Sequence, residues 1–315
     1  MKHMVILSGK GGTGKTAVAA GLAHVASQTQ GLGKLVLADA DVDASNLELL
    51  VGSRPVETEE FRGGTVAHID PEQCTGCAIC HFVCRFQAIR PVPGEKLFQV
   101  DPLSCEGCAA CFYQCPFEAI ERLPQVAGHW FRSESRYGPL FHARLRPGQE
   151  NSGKLVTLVK ERARDAAISR GAPLVLMDGP PGIGCPAIAA STDADLALIV
   201  TEPTVSGIHD LERVLEMTRH FRLKTLVTVN KGDLNPEGRR SIEDRCRTLD
   251  VPVLPWIPFQ ESVTQGLMKG LPVTEHDPES KASLAIRRIW QDLESLLTEV
   301  PAQGRKQVLP LVSEI

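Results

Sequence analysis

Eight of the ten cysteines in this 315-residue chain fall between Cys74 and Cys115, in two runs of C-x2-C-x2-C-x3-C spacing. Cys74, Cys77, Cys80 and Cys84 recur as Cys105, Cys108, Cys111 and Cys115, displaced by 31 residues, and each run is followed by an aromatic residue and an Ala-Ile pair. Gaps this short suit metal ligation better than disulfide geometry, so the thiols are expected to be reduced and the compartment reducing. The repeat reads as a duplicated half-module, not a solenoid. Zinc is the competing ligand, but zinc sites usually take two separated C-x2-C pairs and not four cysteines in one run.

Around this segment the pattern is that of an α/β chain. Residues 2–50 read as a buried strand (Met4–Leu7), a glycine loop, a helix from Lys15, a second strand (Leu35–Ala38) and an acidic turn. Such an opening is a βαβ unit. After the cysteines, residues 128–148 read as strands or loop. A helix over Gly153–Ser169 then leads to strands at Leu174–Met177, Leu196–Thr201, Thr225–Asn230 and Val253–Ile257, with helices between and a last helix over Glu279–Leu297. Near-continuous apolar strands separated by helices predict a mostly parallel sheet flanked by helices on both faces. The expected domains are 1–64 and 126–300 for the two parts of this fold, 65–125 for a small inserted α+β domain, and 301–315 for a C-terminal tail.

Net charge −4 and pI near 6.2 carry no basic excess, which argues against nucleic acid and against a polybasic membrane anchor. The apolar run before the glycine loop is too short for a signal peptide or a spanning helix, so a cytoplasmic protein without membrane insertion is expected.

Gly9-Lys10-Gly11-Gly12-Thr13-Gly14-Lys15-Thr16 fits G-x-x-x-x-G-K-[ST] between a predicted strand and a helix, the context that a phosphate loop requires. Glycines let backbone N–H groups wrap phosphates, Lys15 neutralises the β- and γ-phosphates, and the Thr16 hydroxyl can ligate Mg. The strand Leu174–Met177 ends in Asp178, placed to hold Mg, and Gly179-Pro180-Pro181-Gly182 follows as a switch-like loop. Asp39-Ala40-Asp41, with Asn46 beyond it, closes the second strand. Asn230-Lys231-Gly232-Asp233 ends a strand and fits a base-recognition motif, leaving ATP and GTP both open on spacing alone.

The form Lys10-Gly11-Gly12-Thr13-Gly14-Lys15-Thr16, the D-x-D, Asp178-Gly179-Pro180-Pro181-Gly182 and the paired cysteine runs together resemble MinD/ParA-superfamily ATPases, related to Mrp and the nitrogenase iron protein, that contain an inserted ferredoxin domain. The resemblance spans nearly the whole chain. It implies an ATP-dependent homodimer in which Lys10 reaches the partner's phosphates. It also implies that Asp41 orients the attacking water, with Asp39 and Asn46 supporting the switch, and that Asn230 and Pro258 line the base, favouring ATP.

The cysteine spacing is similar to that of bacterial two-cluster ferredoxins. That likeness implies one 4Fe-4S cluster on Cys74, Cys77, Cys80 and Cys115, and a second on Cys84, Cys105, Cys108 and Cys111. Arg85 departs from the pattern, since proline is usual after the last cysteine, as Pro116 follows Cys115. Cys185 lies at the interval from Asp178 where nitrogenase iron proteins carry a cluster ligand, but the second ligand of that family has no counterpart between Leu123 and Met177. It stands as an extra thiol: reactive, a docking point, or packed in the loop. Three functions stay open: ATP-linked electron transfer to a redox partner or metal site, an ATP-dependent Fe-S or metal-cluster carrier, and a positioning ATPase with structural or sensing clusters.

Overall fold

The computed structural model describes residues 1–147 and 152–299; the expected tail at 301–315 lies outside them. In chain order the elements are β1 (Lys2–Ser8), α1 (Lys15–Ser27), β2 (Leu35–Asp39), α2 (Leu47–Leu50), β3 (Arg54–Ile69), α3 (Ile79–Val83), β4 (Ile89–Pro91), β5 (Phe98–Val100), α4 (Ala110–Gln114), β6 (Ile120–Ser135) and β7 (Gly138–Leu145). There follow α5 (Ser152–Arg170), β8 (Leu174–Pro181), α6 (Cys185–Ser191), β9 (Leu196–Thr201), α7 (Val205–His220), β10 (Lys224–Val229), α8 (Pro236–Thr248), α9 (Glu261–Met268), α10 (Val273–His276) and α11 (Lys281–Glu299). They form two compact units. Of the described residues, one contains Met1–Thr58, Phe131–Ala143 and those from Ser152 to Glu299; the other contains Glu59–Trp130 and the short segment that begins at Arg144.

In the first unit, β10, β9, β1, β8, β2 and β7 lie side by side, each parallel to its neighbours. The order continues with β6 and β3, of which Phe131–Ser135 and Arg54–Thr58 belong to this unit. Met4, Val5, Ile6 and Leu7 are fully buried, as strands covered on both faces should be. Val18, Leu22 and Val25 of α1 share one buried cluster with Ile286, Ile289, Trp290 and Leu293 of α11 and with Met4, Ile6, Leu37 and Leu176 of the sheet. Each such side chain contributes about 1.5–3 kcal/mol through burial. The register places Asp39 beside Asp178, and Asp178 beside Ile6, so three strand ends open on one edge of the sheet. In parallel α/β sheets ligands bind at that carboxyl edge.

Two expectations are corrected. Val253–Ile257 is not a strand: Pro252, Pro255 and Pro258 each lack an N–H, and only isolated parallel bridges form, Val227 to Val253 and Asn230 to Ile257. The segment Gly179–Pro181, expected as loop, continues β8, because Pro181 still registers with Ser8; the chain turns at Gly182 (φ +84°).

In the second unit β4 and β5 pair antiparallel, with Ile89 opposite Val100. The sequence duplication extends to the backbone. The five-residue helices α3 and α4 follow Ala78 and Ala109, both left-handed (φ 66° and 62°), and Gln87 and Glu118 share φ 53° at matching positions. Ala67, Ile69, Cys80, Ile89, Cys111 and Ile120 form its small core. Among the described residues no helix is long and apolar enough to cross a membrane.

Candidate functional site

The glycine loop leaves β1 at the carboxyl edge and enters α1 at Lys15. Gly12 and Gly14 have φ of +81° and +86°, and a Cβ on Gly14 would stand 2.3 Å from Asn230 Nδ2. Only glycine fits there without strain. Gly9 is as tightly confined, since a Cβ would stand 2.4 Å from that of Asp210. Asn230 Nδ2 in turn donates to Thr13 O at 2.8 Å, so the turn that begins at Asn230 props the glycine loop.

Lys15 is buried, and its Nζ pairs with Asp178 Oδ1 at 2.6 Å. Two buried oxygens here lack partners, Asp178 Oδ2 and Thr13 Oγ1. Leaving such groups unsatisfied costs about 1–3 kcal/mol each, unless a ligand or ion meets them. Thr16 is half-buried in the first turn of α1.

Asp39 is fully buried and organises the acidic turn. Its Oδ1 accepts from Asp41 N at 3.0 Å, while Oδ2 accepts from Ser45 Oγ, Asn46 N and Leu47 N at 2.8, 3.1 and 3.1 Å. Burial, and next the neighbouring Asp178, push its carboxyl up to about 7, against the pull of Lys15. Asp41 is raised as well, chiefly by burial. Its Oδ1 accepts from Ala44 N at 3.3 Å, and Asn46 Nδ2 donates to Ala44 O at 2.8 Å. The edge therefore gathers Asp39, Asp41 and Asp178 around a single lysine, an arrangement short of positive charge.

In the segment Asn230-Lys231-Gly232-Asp233, Asn230 Oδ1 accepts from Lys231 N at 3.0 Å, and Asp233 Oδ1 accepts from Phe259 N at 2.7 Å. Gly232 N donates to Ile257 O at 3.0 Å, which brings half-buried Pro258 to this corner. Gly179 packs tightly on β1, with a built Cβ 2.7 Å from Ile6 O, and Gly182 N donates to Ser8 O at 2.8 Å.

Lys10 stands apart from Lys15. Its Nζ lies 2.7 Å from Glu202 Oε1, 2.8 Å from Ser206 Oγ and 3.3 Å from Thr204 Oγ1. These three residues belong to none of the sequence motifs above. The available signal is positional: Glu202 directly follows β9, the strand beside β1, and residues that follow parallel strands line the same edge. Cys185 is exposed as the first residue of α6, and Cys246 is fully buried in α8.

In the second unit the cysteines divide between two cavities. Cys84, Cys105, Cys108 and Cys111 line one, together with Glu106, Phe86 and Arg122. Cys74, Cys77, Cys80 and Cys115 line the other, together with Phe98, Phe117 and Ile120. Each cavity takes three thiols from one run and the fourth from the other. Cys77 and Cys108 are exposed, whereas Cys80 and Cys111 are buried. Burial pushes the Cys80 thiol up to about 11 and raises that of Cys111. Among the described residues no three His, Cys, Asp or Glu side chains converge as ligands of a single ion would.

A family model for the CobQ/CobB/MinD/ParA nucleotide binding domain matches residues 4–273. An uncharacterized protein of Methanocaldococcus jannaschii is 31% identical over 296 residues, covering 93% of this chain and 97% of its own. An uncharacterized ATP-binding protein of the same organism is 23% identical over 308 residues, covering 96% and 92%. Among solved structures, the septum site-determining protein MinD of Pyrococcus horikoshii, complexed with Mg-ADP, is similar with a TM-score of 0.57 at 20% identity, covering 94% of this chain and 96% of that one. That likeness is one of fold.

Proposed function

The chain belongs to the CobQ/CobB/MinD/ParA nucleotide-binding family, and from that premise we propose an ATP-hydrolysing dimeric switch that carries two 4Fe-4S clusters and serves ATP-linked electron transfer to a partner protein or metal site. We take 65–125 as the cluster-bearing insertion, a bacterial-ferredoxin-like domain. One observation carries the reading: eight cysteines fall into two cavities of four, each completed by the last cysteine of the opposite run.

The nucleotide half rests on unmet charge and unmet hydrogen bonds. Asp178 Oδ2 is buried without a partner beside Asp39, whose carboxyl is raised first by burial and next by the charge of Asp178. A divalent cation supplies what this edge lacks, and Asp178 and Thr16 are the residues that would hold Mg. Lys15 exchanges Asp178 for the β- and γ-phosphates when ATP arrives, and Thr13 lies in the loop that wraps them. Asp41 orients the attacking water, a task that needs positioning more than covalent chemistry. Asp39 and Asn46 hold that turn, while Gly179 and Gly182 border the second switch. Asn230, Lys231, Asp233 and Pro258 form the base corner. The ATP-binding relative and the Mg-ADP complex of a structural neighbour support ATP over GTP.

For the second unit, the donor set is all cysteine sulfur, four around each of two cavities. That suits a polynuclear group in which each cysteine meets its own iron. A 4Fe-4S group, when bound, supplies a one-electron carrier; an N–H···S bond such as Ala88 N to Cys84 Sγ, 3.3 Å, tunes it.

The nucleotide reading is tested with Lys10→Ala by light scattering after size exclusion. The variant is expected to bind ATP as a monomer and to lose ATP-induced dimerisation. Dimerisation equal to wild type would contradict the cross-dimer role.

A further inference from the structure

Lys10 is held within its own chain. The three acceptors within reach of its ammonium, Glu202 Oε1, Ser206 Oγ and Thr204 Oγ1, match the number of protons that it can donate. The location is a poor one for a cation, because Thr204 caps α7 through Gly207 N at 3.0 Å, and the amino end of a helix carries partial positive charge. Glu202 is what offsets this. Its second oxygen, Oε2, lies 3.3 Å from Lys231 Nζ, and that ammonium is also 3.4 Å from Gly12 O. One half-hidden carboxylate thus joins a lysine of the phosphate loop to a lysine of the base corner.

We propose that Glu202 is a positioning residue for Lys10, a latch that holds this lysine in cis until ATP and the partner protomer draw it away. The proposal rests on the cross-dimer role given to Lys10 above. The latch is built to open at low penalty. When Lys10 leaves, Lys231 remains as counter-ion to Glu202, so no half-buried carboxylate is stranded, and the lysine departs from the unfavourable end of α7. Phosphate oxygens provide stronger charge-assisted acceptors than the two hydroxyls that it gives up.

Glu202→Gln keeps the shape of the side chain and removes its charge. The expected result is ATP-induced dimerisation at up to about five-fold lower ATP or protein concentration, the equivalent of one partly exposed ion pair. Nucleotide binding by the monomer, measured with ADP, should stay near wild type. Two further readouts separate a latch from a merely structural role. Added salt should promote dimerisation of the wild type relative to Glu202→Gln, because it screens the Lys10–Glu202 pair only where that pair exists. In a Lys10→Ala background Glu202→Gln should give no gain, as a double-mutant cycle on a direct contact requires. Should Glu202→Gln fold poorly by circular dichroism, Ser206→Ala removes another Lys10 acceptor and should shift the threshold in the same direction by a smaller factor. An unchanged or raised threshold in whichever of the two variants folds, or a gain that persists without Lys10, overturns the latch alone. A wild-type chain that binds ATP and never dimerises overturns the cross-dimer reading and the latch with it.

Discussion

Asp39 shows how much one buried carboxyl can reveal. Its carboxyl is raised from 3.8 to about 7 by burial and by Asp178, so between those values the folded chain holds a proton that the unfolded chain has released. Stability from this group is therefore present at low pH and falls as pH rises through that window. His3 opposes it: burial lowers its imidazole to about 3, so its contribution is lost as pH falls below 6.5. Thermal melts of wild type and Asp39→Asn from pH 4 to 7.5, without nucleotide or Mg, should diverge, the variant gaining relative stability towards pH 7. Parallel curves would mean that Asp39 is not raised. The acids themselves were legible, because D-x-D at a strand end is a local pattern. Their crowding was not, since Asp178 joins Asp39 only through sheet register.

At the scale of elements, the sequence revealed strands wherever apolar runs were uninterrupted; β9 coincides with its expected bounds at Leu196–Thr201. It misled where backbone chemistry outweighed side-chain pattern: the prolines at 252, 255 and 258 leave an apolar run with isolated bridges only, and β8 extends through Pro180 and Pro181, where the sequence predicts a loop. Glu202 escaped notice because its partner, Lys10, is distant in sequence and comes near only because β9 lies beside β1. The glycine loop offers a graded test. Gly14→Ala meets a left-handed φ and the Asn230 amide, and should lower stability by ~1–3 kcal/mol and abolish nucleotide binding. Gly11→Ala has nothing within 4 Å of its new Cβ and should melt like wild type. Equal melting temperatures for the two variants would contradict the confinement of Gly14.

The whole molecule joins a family-defined nucleotide edge to a duplicated cysteine unit. Whether four thiols meet, and which four, depends on the fold of the repeat; the likeness to two-cluster ferredoxins implies an exchange of last cysteines, and each cavity is lined by three cysteines of one run and the last of the other. On that partition Cys84→Ala should lose the same cluster signal as Cys108→Ala, and Cys115→Ala the same as Cys77→Ala, each leaving about half of the iron. Iron assay and EPR on anaerobically prepared chains distinguish this from a partition by run, in which Cys84→Ala would match Cys77→Ala.

The central claim is that nucleotide state and cluster state are linked in one chain. An EPR-monitored redox titration of anaerobically purified protein, with and without Mg-ATP, addresses it directly. The account predicts two centres whose midpoints shift when ATP is bound. Two centres with titrations that superimpose in both conditions, or no cluster signal in the iron-loaded chain, would contradict it.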